Sequence, residues 1–313
     1  MQANIKKIFG IVAHPAGHSL SPTMHNAGFT ALGLTYECEA YDVLPEELAD
    51  FMKALKAGKK IKCEAGEFDL ATLEGFSVSM PHKETIIPLL DGLDEAGATV
   101  QAVSCVYKKG GKFIGTNLDH IGVAGALKES KWAKARLTRA DAMKGKEMGN
   151  AQKHVLQGIE VLVVGGGGAA KAAVYGLLKA GAMVTICNRT VEKIRGIADQ
   201  FASQQKIPVL TLEEAGRSPH YEIVINCTSL GLESDAKVIS DEVFTHAKLA
   251  LDAVYSHTTT MFQRQALSAN IELLTGLDWL LNQGFEAFRL WTGSDAPKDA
   301  MKKAVHEAMQ NHE

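Results

Sequence analysis

Short apolar runs alternate with segments of helical periodicity along the whole chain. In the N-terminal third this pattern predicts, in turn, a strand, a helix, a strand and a helix at residues 5–12, 22–32, 35–41 and 45–57. Residues 58–72 are polar and contain glycines, so they predict a loop or small excursion before a further strand at 75–78. A sheet flanked by helices, the α/β class, is therefore expected.

The same alternation resumes after a less regular middle section. Residues 158–164 form an apolar run that leads into four glycines, and residues 169–180 are helical in composition up to a stop at Gly181. Residues 183–187 form a second apolar run, which completes a β-α-β unit. Further strands are predicted at 222–226 and 249–254, and helices at 277–291 and 296–310.

The glycine turn between the strand and the helix indicates a dinucleotide site. Glycines there let the backbone bend tightly and approach a pyrophosphate, whose charge is attracted by the N–H groups and dipole of the helix start. A glycine run alone is weak evidence, but its flanks here are the expected strand and helix. The residues expected to cradle the pyrophosphate are Gly165, Gly166, Gly167, Gly168 and Ala169.

The end of the second strand favours NADP over NAD. An NAD site places a carboxylate there for the ribose hydroxyls, whereas this chain has Asn188, Arg189 and Thr190, followed by Lys193. A guanidinium can pair with a 2′-phosphate in a forked geometry or stack on the adenine. The alternative is that Arg189 only caps a surface turn.

Length and charge narrow the class of protein. A chain of 313 residues with 46% hydrophobic content is expected to form two packed domains, and its net charge of −3 argues against nucleic acid as a partner. Residues 128–153 are locally basic, with eight Lys and Arg against three acids, and we interpret them as a solvated excursion between domains. No apolar run reaches membrane-spanning length, so a cytoplasmic protein without membrane partners is expected.

Metal and disulfide chemistry are not indicated. The five cysteines lack paired C-x-x-C spacing and are expected to be buried thiols. The eleven histidines include no H-E-x-x-H motif and no tight cluster, so no metal site is predicted.

Four polar segments outside the dinucleotide unit could carry chemistry. In the first, residues 14–26, Ser21 is expected to cap a helix that begins at Pro22, and two hydroxyls at a helix start can hold a carboxylate. The second, SVSMPHK at 77–83, ends a strand with hydroxyls and then presents a lysine. The third is GTNLD at 115–119, and the fourth is a predicted helix that contains GLDWLLNQGFEAF at 276–288. Taken singly, each has an ordinary structural explanation as a cap, a turn, a solvated lysine or a core helix.

Taken together and in order, these segments resemble the shikimate dehydrogenase family across nearly the whole chain. The resemblance is carried by HSLSPTMHN at 18–26, GFSVSMPHKE at 75–84, NLD at 117–119, GGGGAAKA at 165–172, NRT at 188–190, NCTSLGL at 226–232, DAVYSHTTT at 252–260 and GLDWLLNQGFEAF at 276–288.

The resemblance implies a two-lobed, NADP-dependent enzyme that reversibly reduces 3-dehydroshikimate to shikimate in aromatic amino-acid biosynthesis. It implies a substrate lobe at 1–120 and 261–313 and an NADP-binding Rossmann lobe at 121–260, with a basic excursion at 128–157. Lys83 and Asp119 would be the catalytic pair. The implied substrate contacts are Ser19, Ser21, Ser79, Ser104, Tyr255 and Gln283, and Asn226, Thr228 and Gly276 would join the glycine turn and the basic residues at the cofactor. The partner is a small molecule, and a monomer or homodimer is expected.

Departures from the family pattern leave the substrate open. The family commonly has asparagine where this chain has Ser77 and Ser104, threonine where it has Ser79, Cys105 and Leu118, and Gly-Asn-Pro where it has Ala-His-Pro at 13–15. A site that lacks one hydrogen bond can change preference by about 1–3 kcal/mol. Quinate or another polyhydroxy ring carboxylate is therefore an alternative substrate, and a non-enzymatic NADP-binding regulator is a second alternative.

Overall fold

The computed structural model describes residues 7–144, 155–217, 220–230, 236–256 and 258–310. It divides into two compact units: unit 1 is Met1–Leu118 with Gln283–Glu313, and unit 2 is Asp119–Asn282. The fold is α/β, as the alternating pattern predicts. The part of the basic excursion at 145–154 lies outside the described residues. No helix in the described ranges is long and apolar enough to cross a membrane.

The strands number fourteen among the described residues. In chain order they are β1 Lys7–Ala13, β2 Tyr36–Asp42, β3 Lys60–Cys63, β4 Gly66–Asp69, β5 Leu73–Val78, β6 Gly92–Leu93, β7 Cys105–Lys109, β8 Lys112–Thr116, β9 Glu160–Val164, β10 Met183–Cys187, β11 Val209–Leu210, β12 Ile223–Asn226, β13 Leu249–Asp252 and β14 Glu272–Leu274.

The α-helices of the same ranges are α1 Ser21–Ala31, α2 Leu48–Lys56, α3 His82–Thr85, α4 Glu95–Val100, α5 Asp119–Glu129, α6 Lys131–Lys144, α7 Gly168–Lys179, α8 Val191–Gln200, α9 Leu212–Arg217, α10 Met261–Ser268, α11 Gly276–Thr292 and α12 Lys298–Gln310. Short 3₁₀ turns lie at Pro45–Glu47, Ile87–Leu89 and Asp241–Phe244.

Unit 1 is built on a mixed sheet with the strand order β2-β1-β5-β7-β8-β6. Strands β1, β2 and β5 run parallel, and β7 is antiparallel to both β5 and β8. On one side, α2 buries its apolar residues Leu48, Phe51, Met52 and Leu55. Of the two alternatives predicted for 58–72, a loop is wrong and a small excursion is confirmed, because these residues contain the β3–β4 hairpin. Its Ile61 and Phe68 alternate with charged residues and pack on the core, which is the period-two pattern of a strand.

Unit 2 contains a sheet of six parallel strands with the order β11-β10-β9-β12-β13-β14. Residues Val161–Val164 of β9 and all four residues of β12 and of β13 are buried, as continuous apolar runs predict for parallel strands. The glycine turn joins β9 to α7, so the predicted β-α-β unit is confirmed.

The second boundary between the units differs from the one expected at 260/261. Strand β14 pairs with β13, and Phe262 and Ala266 of α10 pack into the core of unit 2. Residues 261–282 therefore belong with unit 2 by their contacts, and the chain returns to unit 1 within α11. The first crossing, at 118/119, is within two residues of the sequence estimate.

Candidate active site

The turn after β9 requires glycine at its first position. Gly165 has φ +126°, and its N–H donates to the Cys187 carbonyl at 2.9 Å. A Cβ on Gly165 would lie 3.0 Å from the backbone carbon and oxygen of Cys227. Both the conformation and the close approach to β12 exclude a side chain here.

The next two glycines separate a crowded side of the turn from an open side. A Cβ on Gly166 would lie 2.9 Å from Ile194 Cγ2 and 3.3 Å from Asn188 Nδ2. Gly167 is exposed, and a Cβ there would meet no atom within 4 Å. Since α7 begins at Gly168, its first N–H groups border the open side, as the backbone of a pyrophosphate cradle must. The residues present therefore fit a dinucleotide.

The end of β10 brings the predicted polar and basic residues beside this turn. Asn188 Nδ2 donates to the Thr190 carbonyl at 3.1 Å, and Thr190 precedes the first residue of α8. Arg189 and Lys193 are exposed, and neither forms an ion pair within the described part of the chain. Their cationic groups can accept a phosphate without first breaking an internal salt bridge.

A buried hydrogen-bonded group lies at the ends of β12 and β13. Asn226 is fully buried, and its Nδ2 donates to Asp252 Oδ1 at 2.9 Å. Its Oδ1 accepts from the Thr228 N–H at 3.0 Å and from the Thr228 hydroxyl at 2.7 Å. The sequence analysis singled out Asn226 and Thr228 but not Asp252. An aspartate at the end of the apolar run Leu249–Asp252 was the available signal, because buried carboxylates need partners.

Gly276 packs directly on the segment that contains Tyr255. The Gly276 N–H donates to the Val254 carbonyl at 3.3 Å, and a Cβ on Gly276 would lie 2.4 Å from the Ala253 oxygen. Burial raises the pKa of Tyr255 above its ordinary value. Tyr255 is therefore a neutral hydroxyl at neutral pH, and Gly276 allows α11 to begin beside it.

Asp119 is the first residue of α5 and is 3% exposed. Glycines fix this helix against its neighbours in unit 2. A Cβ on Gly176 of α7 would lie 2.4 Å from the His120 carbonyl oxygen, and one on Gly122 would lie 2.5 Å from Trp279 Cδ1 of α11. Close packing at both positions fixes the position of Asp119 relative to α7.

In unit 1 the start of α1 differs from the expectation in which residue caps the helix. The helix begins at Ser21 rather than Pro22, and its N-cap residue, Leu20, makes no side-chain capping bond. The expectation that Ser21 is the N-cap is wrong. Instead, the Ser19 hydroxyl accepts the Ser21 N–H at 3.2 Å, a bond that an N-cap serine commonly makes two residues ahead. Ser19 is partly exposed and Ser21 is buried.

Lys83 lies in the short helix α3, which is held at both ends. The Lys83 carbonyl accepts the Val103 N–H at 2.7 Å, and the Ser79 carbonyl accepts the His82 N–H at 2.9 Å. His82 is fully buried and its Nε2 lies 2.7 Å from the Val43 carbonyl. Burial lowers the pKa of His82, so the ring is neutral and donates to that carbonyl. The backbone of Lys83 is thus fixed while its side chain stays partly exposed.

Ser104 directly precedes β7 and is 5% exposed. Its hydroxyl accepts the Leu118 N–H at 2.7 Å, while Asn117 Nδ2 donates to the Ala102 carbonyl at 3.0 Å. Ser77 of β5 pairs with Cys105, next to Ser104. Ser104 therefore lies one residue before the cross-strand partner of Ser77, the other serine that replaces a family asparagine.

Gln283 is partly exposed on the part of α11 that belongs to unit 1. The adjacent Gly284 packs on α1, since a Cβ there would lie 2.1 Å from Met24 Cε. The helical turn of α11 that contains Gln283 therefore packs on α1, at whose start Ser19 and Ser21 lie.

The predicted residues divide between the two units. Unit 1 carries Ser19, Ser21, Ser79, Lys83, Ser104 and Gln283; unit 2 carries Asp119, Tyr255 and all predicted cofactor residues. All five cysteines are buried and unbridged, as expected. Within the described residues no group of three or more His, Cys, Asp or Glu is arranged to hold a metal ion.

Three family models match the chain. They describe a shikimate dehydrogenase substrate binding domain over residues 11–106, a shikimate/quinate 5-dehydrogenase over 147–250, and a shikimate 5′-dehydrogenase C-terminal domain over 276–306. A curated relative, the shikimate dehydrogenase (NADP(+)) of Syntrophobacter fumaroxidans, is 31% identical over 97% of this chain and 94% of its own length.

Two solved structures are similar to nearly the whole chain. A shikimate dehydrogenase crystallised with NADP⁺ superposes with a TM-score of 0.79 at 29% identity, covering 99% of this chain and 98% of its own. The shikimate 5-dehydrogenase of Thermus thermophilus, in complex with NADP(H) and shikimate, gives a TM-score of 0.74 at 29% identity and covers 96% of this chain and 99% of its own.

Proposed function

This chain belongs to the shikimate dehydrogenase family, and on that premise we propose that it is an NADP-dependent oxidoreductase that reversibly reduces 3-dehydroshikimate to shikimate. The observation that carries the proposal is the close-packed glycine turn, in which Gly165 has a positive φ, together with the cations Arg189 and Lys193 at and after the end of the next strand. NADPH, when bound, supplies the hydride, and the protein supplies binding, orientation and proton management.

The cofactor is held by unit 2. The N–H groups of Gly167, Gly168 and Ala169 at the start of α7 would receive the pyrophosphate, and Arg189 and Lys193 would receive the 2′-phosphate. Asn188 and Thr190 shape the turn between them. Thr228, oriented by Asn226, and Gly276 border the cofactor further along the sheet edge.

The substrate carboxylate is held by the hydroxyls of Ser19 and Ser21, and the ring by Ser79, Ser104, Tyr255 and Gln283. Lys83 is the general acid in the reducing direction and the general base in the oxidising direction. In the reducing direction its ammonium gives a proton to the carbonyl oxygen as that carbon receives hydride, and in the oxidising direction the neutral amine takes the hydroxyl proton back. We assign Asp119 as the second member of the predicted catalytic pair, because a carboxylate favours the ammonium form of a lysine.

The division of the chain into two units supports the assignment of substrate binding and cofactor binding to different units. We assign unit 1 to the substrate and unit 2 to the cofactor, with 261–282 in the cofactor part because of its contacts. Lys83 and Asp119 then come from different units of the chain.

The serines at 77 and 104 favour one second candidate, oxidation of quinate or a related ring carboxylate. An asparagine amide offers both a donor and an acceptor, whereas the Ser104 oxygen already accepts the Leu118 N–H. The smaller side chains leave a ring hydroxyl with fewer direct partners and leave room for a non-planar ring. The matching family model itself covers both shikimate and quinate 5-dehydrogenases.

Initial-rate formation of NADPH at 340 nm tests both candidates, with shikimate and quinate as substrates and with NADP⁺ and NAD⁺ as cofactors. We expect the highest kcat/KM for shikimate with NADP⁺. A higher kcat/KM for quinate would establish the second candidate, and the absence of turnover with both acids would refute an enzyme of this class.

Lys83→Ala tests the role of Lys83 as the general acid and base. The variant should lose turnover by at least about 10²-fold, the usual contribution of a positioned acid or base, and still bind NADPH. Lys108→Ala, which removes a surface lysine paired with Glu74, is the matched control and should keep full activity. Unchanged turnover in Lys83→Ala would exclude Lys83 as the proton donor.

A further inference from the structure

Asp252 is a fully buried carboxylate with four hydrogen-bond donors around it. Its Oδ1 accepts from Asn226 Nδ2 at 2.9 Å and from the Val254 N–H at 3.2 Å. Its Oδ2 accepts from the Thr260 hydroxyl at 2.6 Å and from Gln263 Nε2 at 3.1 Å. No cation pairs with it within the described ranges.

Burying such a carboxylate lowers the stability of the folded state. An unpaired buried carboxylate loses its hydration, and burial accordingly raises the pKa of Asp252, although its hydrogen bonds oppose the change. An apolar residue or a neutral amide would end a buried strand at lower cost. The carboxylate has one property that those residues lack, which is that both of its oxygens only accept hydrogen bonds when ionised.

This property fixes the direction of the neighbouring amide. Because Asp252 Oδ1 accepts, Asn226 must turn its Nδ2 toward Asp252 and its Oδ1 toward the other side. That Oδ1 accepts both the N–H and the hydroxyl of Thr228, at 3.0 and 2.7 Å. The Thr228 proton is therefore committed to Asn226, and its oxygen is left to accept, as it does from the Leu230 N–H at 3.3 Å.

We propose that Asp252 is a positioning residue for the cofactor site: through Asn226 it fixes the conformation of Thr228 and the direction of its hydroxyl. The assignment rests on the proposed function, in which Thr228 borders NADPH. It goes beyond that function because Asp252 itself contacts neither the cofactor nor the substrate, and acts through an amide whose orientation it determines.

Exchanging the two side chains tests the order of donors and acceptors. In Asn226→Asp the two facing carboxylates repel each other and displace residue 226 from Thr228, and in Asp252→Ala the Asn226 amide loses the acceptor that sets its direction. Each variant should weaken NADPH binding on the order of tenfold. In the double variant Asn226→Asp/Asp252→Asn, the new amide donates to the new carboxylate, which still accepts from Thr228. The Val254 N–H loses its carboxylate partner in Asp252→Ala as well as in the double variant, so its loss cancels in that comparison.

Thr260→Val is the matched structural control. It removes a hydrogen bond to the same carboxylate and the N-terminal cap of α10, so it lowers the melting temperature, but it leaves Asn226 and Thr228 in place. The measurements are the Kd for NADPH by fluorescence titration without substrate, and the melting temperature of each variant.

We expect the double variant to bind NADPH within about threefold of wild type, and Thr260→Val to do the same despite its lower melting temperature. A double variant no tighter than the single variants, or a Thr260→Val variant as weak as Asp252→Ala, would overturn the assignment. Should Asp252→Ala fail to fold, the comparison of Asn226→Asp with the double variant decides. A wild type that does not bind NADPH would overturn the proposed function, and the assignment with it.

Discussion

His25 provides a quantitative test of the packing in unit 1. It lies on α1 with no exposed surface, among the rings of Phe29, Phe288 and Trp291, the last with its centroid 4.7 Å away. Neither ring nitrogen has a hydrogen-bond partner among the described residues. Desolvation lowers the pKa of His25 from 6.5 to about 3, so the folded protein holds the ring neutral.

The consequence is a loss of stability in acid. Between pH 6.5 and about 3 the unfolded chain binds a proton at His25 and the folded chain does not, so unfolding takes up a proton and stability falls as pH falls. From pH 7 to pH 5 the proton affinity of the unfolded state alone sets the change, at about 2 kcal/mol. This figure holds for any folded-state pKa well below 5.

His25→Phe removes the titration and keeps an aromatic ring in the cluster. Urea unfolding of wild type and variant at pH 7 and pH 5 gives two differences in free energy of unfolding, and the variant should gain about 2 kcal/mol on wild type between them. Phe288→Leu disturbs the same cluster without a titratable group, so its difference from wild type should not change with pH. A His25→Phe difference that is equal at the two pH values would show that the ring has a polar partner or is hydrated, and would refute the reasoning.

Three substitutions test the other positions. Gly165→Ala must adopt φ +126° and place a Cβ 3.0 Å from the backbone of Cys227, so we expect NADPH affinity to fall at least about tenfold in a fluorescence titration. Arg189→Ala should reduce the ratio of kcat/KM with NADPH to kcat/KM with NADH by roughly ten- to a hundredfold. The reason is that a charge-assisted hydrogen bond to the 2′-phosphate is worth about 1.5–3 kcal/mol. An unchanged ratio would show that Arg189 does not contact the 2′-phosphate. Gly176→Ala would force a Cβ to within 2.4 Å of the His120 carbonyl and displace α5, so kcat should fall more than NADPH affinity does; equal losses would mean that the change acts on the cofactor instead.

The fold followed from the sequence where the apolar pattern was strong. The continuous run before Gly165 became β9, and the run at 183–187 became β10, because both faces of a parallel strand are buried. The pattern failed at 58–72, where six charged residues are interspersed with six apolar ones and Ile61 and Phe68 of the β3–β4 hairpin pack on the core of unit 1. It also failed to place β14, a three-residue strand whose assignment to unit 2 depends on a partner that is distant in sequence.

The geometry of the candidate site was predictable where the backbone conformation admits only one residue type. Glycine at 165 is such a case, because a positive φ and a close approach to β12 exclude a side chain; the phosphate contact of Arg189 stays a prediction. Ser104 and Ser21 were less predictable, since a serine hydroxyl can bind a substrate, cap a helix or accept a backbone N–H. Only the fold shows that Ser104 accepts the Leu118 N–H and that Ser19, not Ser21, makes the bond at the start of α1.

Buried polar residues separate positions that the fold needs from positions that the chemistry needs. A strand end inside a parallel sheet is satisfied by apolar side chains, so the carboxylate of Asp252 has no purpose in the sheet itself. Its Oδ2 accepts bonds from Thr260 and Gln263 at the start of α10, and its Oδ1 sets the direction of the Asn226 amide, which decides which atoms Thr228 presents. His25 shows the contrasting case, in which the buried group has no hydrogen-bond partner among the described residues and is tolerated because a neutral imidazole packs as an aromatic ring. Two equally buried polar side chains can therefore have different roles. Asp252, whose hydrogen bonds are matched, positions a neighbouring side chain, whereas His25, whose ring nitrogens have no partner among the described residues, serves as a packing group.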